Sequence, residues 1–190
     1  MLTICNLSLT YPGYPPLATL SLGLQSGEQI ALLGRSGTGK STLLTAIVQG
    51  SPEIRLQTTR IAYLSQQPAL LPWASVIDNV LLGFTLRGEN IKAEDVQRAK
   101  QLLKALDLHM LSERQASQLS GGQQARVALA RALVEDADLV LLDEPFASLD
   151  RSTRIQMAQL CQQFLPEQTG ILVTHDPEGA HQWLDRAMVL

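Results

Sequence analysis

The sequence predicts an α/β fold with a mostly parallel sheet, and three observations predict it. Short apolar or alternating runs near 2–9, 17–24, 28–33, 60–64, 138–143, 169–174 and 186–190 have the length and residue types of strands, and helical stretches alternate with the later ones. The run Leu139-Val140-Leu141-Leu142 is apolar without interruption, as expected of a parallel strand covered on both faces. The stretch from about 75 to 135 has no strand pattern and reads as a helical subdomain inserted between two strands of the core. The earliest strands are expected to form a small antiparallel part at the N-terminus.

Taken in chain order, the strand Gln29-Ile30-Ala31-Leu32-Leu33 runs into a glycine-rich segment and then into the helix-like Thr42-Leu43-Leu44. Within the insertion, Val96, Ala99, Leu103 and Leu106 fit one helix face, and Ala125, Leu129, Ala132 and Leu133 fit another. Met157, Leu160, Cys161, Phe164 and Leu165 mark the apolar face of a helix over 151–165, with Asp150 as its expected N-cap. Pro177 after Asp176 reads as the first turn of a further short helix. The whole chain, 1–190, is expected to be a single domain, in keeping with its length and its 45% apolar content.

Gly34-Arg35-Ser36-Gly37-Thr38-Gly39-Lys40-Ser41, followed by Thr42, is a P-loop in the strand-to-helix setting that the motif requires. Its glycines let successive backbone N–H groups face phosphates, and the helix N-terminus adds positive dipole. Lys40 is expected to reach the β- and γ-phosphates of ATP, and the Ser41 hydroxyl to bind Mg²⁺. The strand 138–143 ends in Asp143 and Glu144, at the sheet edge where open α/β folds bind ligands. Asp143 is expected to hold Mg²⁺, directly or through water, and Glu144 to act as general base on the attacking water. Together the two motifs predict a P-loop NTPase core.

A third motif narrows the class. Leu119-Ser120-Gly121-Gly122-Gln123, running on into Gln124-Ala125-Arg126-Val127-Ala128-Leu129, resembles the signature of the ABC ATPase family. Ser120 can cap the helix, and the two glycines bare backbone N–H groups at its start, which makes a second anion-binding surface. The resemblance implies further roles, in chain order. Tyr11, with Tyr14 as the alternative, matches the aromatic that stacks on adenine. Gln66 matches the Q-loop glutamine and Mg²⁺ ligand, with Gln67 adjacent. Ser148-Leu149-Asp150 looks like the D-loop, and His175 in Thr174-His175-Asp176 like the switch histidine that meets the γ-phosphate. These landmarks span residues 11 to 176.

The resemblance also implies a head-to-tail dimer. ATP is held by Lys40, Ser41, Gln66 and Asp143 of one copy and covered by Ser120 and Gly122 of the other. It implies a transmembrane permease as partner, a substrate-binding protein in the full system, and a peripheral place on the cytoplasmic face of the inner or plasma membrane. Pro68-Ala69-Leu70-Leu71-Pro72-Trp73 and Val76-Ile77-Asp78-Asn79-Val80 are similar to importer ATPases for nitrate, sulfonate, taurine and thiamine precursors. An exporter or lipoprotein-release ATPase is the alternative, and a non-transport ABC ATPase a more distant one. Trp73 falls where the family docks its membrane subunit, so an interface role stands beside core packing. Relative to the family, the segment from Lys40 to Gln66 is short, and relatives continue past the equivalent of Leu190.

Composition argues against other classes. Lys+Arg 15 against Asp+Glu 18 gives a net charge of -3, without the basic excess of a nucleic-acid binder. The apolar runs are far shorter than the roughly 20 residues of a spanning helix, and the start shows no basic segment followed by a long apolar one. Cys5 and Cys161 stand apart and are expected to be reduced thiols in the core. His109, His181 and Trp183 match no motif and are assigned to surface, boundary or packing roles.

Overall fold

The strands form two sheets, one antiparallel and one parallel. The computed structural model describes residues 2–10, 18–58, 60–147, 149, 151–176 and 186–189. In chain order these form β1 (Leu2–Leu9), β2 (Ala18–Leu24), β3 (Gln29–Leu33), α1 (Lys40–Gln49), β4 (Ile54–Leu56), β5 (Ile61–Leu64), α2 (Val76–Val80), α3 (Leu82–Leu86), α4 (Ala93–Ala105), α5 (Gly121–Val134), β6 (Leu139–Asp143), α6 (Arg151–Phe164), β7 (Thr169–Thr174) and β8 (Arg186–Val189). β1 and β2 pair antiparallel, with β4 on the other side of β1. The other five strands assemble in parallel, in the order β5-β6-β7-β3-β8, with helices between β5 and β6 and between β6 and β7.

The apolar run of β6 now has its cause. Leu139 and Leu141 pack with β1, β2 and α1 on one face of the parallel sheet, together with Ile30, Leu32, Ile171 and Val173. Val140 and Leu142 face the opposite layer, packed with residues of α4, α5 and α6. A strand between two apolar layers needs apolar side chains at both parities, so its pattern is continuous rather than alternating.

The helices between β5 and β6 are those expected over 75–135. One expectation changes. The spacing assigned α5 a single apolar face, yet Val127, Ala128, Leu129 and Ala130 are all buried in succession. The helix is central, packed against β5, α2 and α4 at once, so neighbours cover it all round. β4 also escaped the sequence pattern, because Ile54-Arg55-Leu56 carries only two apolar residues. It is a strand because β1 pairs with it. Cys5 is a further correction: it is exposed, while Cys161 is fully buried. Leu2 and Ile4 of β1 point inward, and Cys5, at the next parity, points out.

Candidate functional site

The loop between β3 and α1 is shaped by its glycines. Gly37 and Gly39 have φ of 85° and 97°, a left-handed conformation that costs other residues energy. A Cβ at Gly37 would meet nothing within 4 Å, so the backbone angle, not space, selects glycine there. Gly39 caps α1 with no side-chain hydrogen bond and no acidic residue in the first turn, so the N-terminal N–H groups keep no side-chain acceptor. Lys40 is only 6% exposed. Its ammonium donates to the carbonyls of Gly34 at 2.7 Å and Arg35 at 2.9 Å, which leaves one of its three protons for another acceptor.

Across from this loop, β6 delivers Asp143, 2% exposed, with Oδ1 buried and without a hydrogen-bond partner. Burial pushes its carboxyl above the ordinary carboxylate range, and the neighbouring Glu144 charge adds to this; the Ser41 hydroxyl bonded to it and Lys40 pull the other way. Glu144 has a φ of 50°, unusual for a residue with a side chain, and its N–H donates to Val173 O at 2.9 Å. Its carboxylate is held from β7 and the turn after it: Oε1 lies 2.9 Å from His175 Nδ1, and Oε2 accepts from Thr174 Oγ1 at 3.3 Å. Arg154 of α6 braces this turn, donating to Asp176 and, at 3.1 Å, to Leu149 O.

These pieces enclose a cavity of about 190 Å³, lined by Ser36, Gly37, Gly39, Lys40, Ser41, Thr42, Gln66, Asp143 and Glu144. The structure therefore brings together the P-loop, the two carboxylates and the Q-loop residue. Of the adjacent glutamines, Gln66 lines this cavity, while the Gln67 carbonyl accepts from Ser65 Oγ at 2.7 Å. His175 stands behind Glu144. A larger cavity, about 940 Å³, opens at the other end of the strands near Leu2, Leu24 and Asp138, and no candidate residue lines it.

Ser120, Gly121, Gly122 and Gln123 do not line the cavity that holds Lys40 and Asp143. Ser120 caps α5, accepting from Gln123 N–H at 3.3 Å, and Gln123 Oε1 accepts from Ser120 N–H at 2.9 Å. This capping box was legible as Ser-x-x-Gln but was not anticipated. A Cβ on Gly121 or Gly122 meets nothing within 4 Å, and neither has a positive φ, so no described part of the chain requires glycine there. Thr174 and Arg154 were also missed, because their partners lie on elements distant in sequence. Trp73 is 71% exposed, which removes the core-packing alternative. His109 is exposed as well. Tyr11, Tyr14, Ser148, Asp150, Pro177, His181 and Trp183 lie outside the described residues.

Comparison with known proteins agrees with this geometry. The family described as "ABC transporter" matches residues 17–147. An uncharacterised ABC transporter ATP-binding protein of Haemophilus influenzae is 41% identical over 197 residues, covering 100% of this chain and 82% of its own length. The taurine import ATP-binding protein TauB of Escherichia coli is 42% identical over 194 residues, covering 95% of this chain and 75% of its own. Among solved structures, a dimeric post-hydrolysis state of the ATP-binding cassette MJ0796 bound to ADP and Pi superposes with a TM-score of 0.87. The two are 27% identical over 100% of this chain and 94% of that one. No helix among the described residues is long and apolar enough to cross a membrane. This chain belongs to the ABC transporter family, as one of its ATP-binding, ATP-hydrolysing members.

Proposed function

We propose that this chain is the ATP-hydrolysing subunit of an importer for a small solute, and that it works as a head-to-tail dimer bound to a separate transmembrane permease. One observation carries the reading. Lys40, Ser41, Gln66, Asp143 and Glu144 converge on one cavity, while the signature residues on α5 do not line it. A second copy must then supply Ser120, Gly121 and Gly122 to the phosphates. Glycines that nothing in the described chain requires support this, since a backbone bared for an outside ligand is what glycine provides. The MJ0796 cassette is dimeric. The taurine relative is named an import ATP-binding protein, which supports import; a substrate-binding protein as further partner and a place on the cytoplasmic membrane face complete the reading.

Within the site, Lys40 and the amides of residues 34–42 bind the phosphates of ATP; Tyr11 and Asp150 keep the adenine-stacking and D-loop roles that the family resemblance implies. The residues fit Mg²⁺: Asp143 Oδ1 is a buried oxygen without a partner, and the Ser41 hydroxyl adjoins the same carboxylate. Ser41 and Asp143 would hold the cation, with Gln66 beside them; when bound, it neutralises charge on the β- and γ-phosphoryl oxygens. Glu144 orients the attacking water and takes its proton, and His175, hydrogen-bonded to Glu144, holds that carboxylate toward the γ-phosphate.

The test uses Glu144→Gln, which keeps shape and removes the base, so hydrolysis falls by roughly 10²-fold or more. On size-exclusion chromatography this variant should be a dimer with ATP and a monomer with ADP. With Ser120→Arg added, it should be a monomer even with ATP. A monomer in every condition refutes the sandwich, and a dimer without nucleotide shows that another surface joins the copies.

A further inference from the structure

Asn79 of α2 has no exposed surface and takes no part in the phosphate site, yet its side-chain amide is fully engaged. Oδ1 accepts the Leu71 N–H at 2.7 Å, and Nδ2 donates to Leu71 O at 3.0 Å, Ser75 O at 3.0 Å and Ala74 O at 3.4 Å. The amide thus pairs with both backbone groups of Leu71 and folds residues 71–75 around itself. That turn carries the exposed Trp73, and it follows the segment that places Gln66 in the cavity. The chain ahead of the signature is bonded to the same turn. Ser117 N–H donates to Pro72 O and Ala116 N–H to Ala74 O, each at 3.0 Å, so both neighbours of Trp73 are tied to it. Gln124, in α5, closes the link, donating to Ala116 O at 3.2 Å and Leu119 O at 3.3 Å.

We propose that Asn79 is the positioning residue that makes the Trp73 turn and the Ser120 cap one rigid unit, so that its amide sets how firmly Ser120, Gly121 and Gly122 are presented to a second copy. The inference rests on the dimer reading above. The chemistry asks for an amide at this position. A leucine would take away the acceptor of the Leu71 N–H and the amide's bonds to the Leu71, Ala74 and Ser75 carbonyls, and an aspartate would set a carboxylate against those carbonyl oxygens.

The experiment is Asn79→Asp in the Glu144→Gln chain. ADP affinity by calorimetry should stay within about twofold, because Lys40 and Ser41 are untouched, while the ATP-induced dimer should weaken at least tenfold. With Trp183→Phe added, the fluorescence anisotropy of Trp73 should fall, which a general loss of stability would not produce below the melting temperature. An unchanged dimer constant overturns the proposal. Failure of Glu144→Gln alone to dimerise counts against the dimer reading instead. Hydrogen exchange in the unaltered chain keeps the rigid unit testable even if Asn79→Asp does not fold. The amides of Leu71, Ala116 and Ser117 should open together with one protection factor, and separate opening of Leu71 refutes the unit.

Discussion

Lys40 is a buried ammonium whose local acceptors are two carbonyl oxygens, neutral groups that do not cancel its charge. Phosphate oxygens are stronger partners, because their negative charge adds a Coulomb attraction that a neutral carbonyl lacks. Lys40→Ala should therefore weaken ATP binding at least tenfold, about 1.4 kcal/mol, by calorimetry; equal affinities would sink the P-loop assignment. Asp143 shows the opposite relation between stability and function. Its pKa in the folded chain is raised above the ordinary 3.8, chiefly by burial, so the folded form holds its proton more tightly than the unfolded form does. That contribution falls as pH rises from about the ordinary value through the raised one, and at neutral pH the buried charge is a cost. Without Mg²⁺ or nucleotide, Asp143→Asn should stabilise the fold at pH 7, read as a higher Tm. The gain should vanish near pH 3, and Mg²⁺-dependent ATPase activity should be lost. A lower Tm at pH 7 would show that the carboxylate is well compensated.

At the scale of elements, α5 joins a reciprocal cap at Ser120 and Gln123 to two glycines in its first turn. Helical glycine costs up to about 1 kcal/mol relative to alanine. Since a methyl group meets nothing at Gly122, Gly122→Ala should raise thermal stability by up to that amount. In the Glu144→Gln chain the same change should weaken the ATP-induced dimer, because the methyl group enters the surface offered to the second copy. Stabilisation with an undiminished dimer would place the signature elsewhere than at the interface.

At the scale of the whole molecule, the parallel sheet gathers the P-loop, Asp143 and His175 at its carboxyl edge, and the helical layer carries Ser120 and Trp73. Trp73 presents a large apolar side chain to solvent. Trp73→Ala should cost under about 0.5 kcal/mol of stability, as surface changes do. It should weaken co-purification with the permease by 2 kcal/mol or more, roughly 30-fold, if Trp73 is an interface anchor. A large fall in Tm with unchanged co-purification would return Trp73 to a structural role.

Local chemistry made much of this protein legible in its sequence. A loop needing positive φ at Gly37 and Gly39, a strand apolar at both parities before Asp143, and a Ser-x-x-Gln cap are each encoded within a few residues, so spacing alone reveals them. What tertiary structure decided involves partners far apart in the chain. β4 is a strand only because β1 pairs with it, and Val127 to Ala130 are all buried only because three elements surround α5. Gln66 rather than Gln67 lines the cavity beside Lys40 and Asp143, and Glu144 is held by Thr174 and His175 from a different strand and turn. The buried Asn79 amide acquires its meaning from the backbone of Leu71 to Ser75 folded around it. Side-chain periodicity records which layers cover an element; hydrogen bonds between distant segments leave no such period, and only the folded chain shows them.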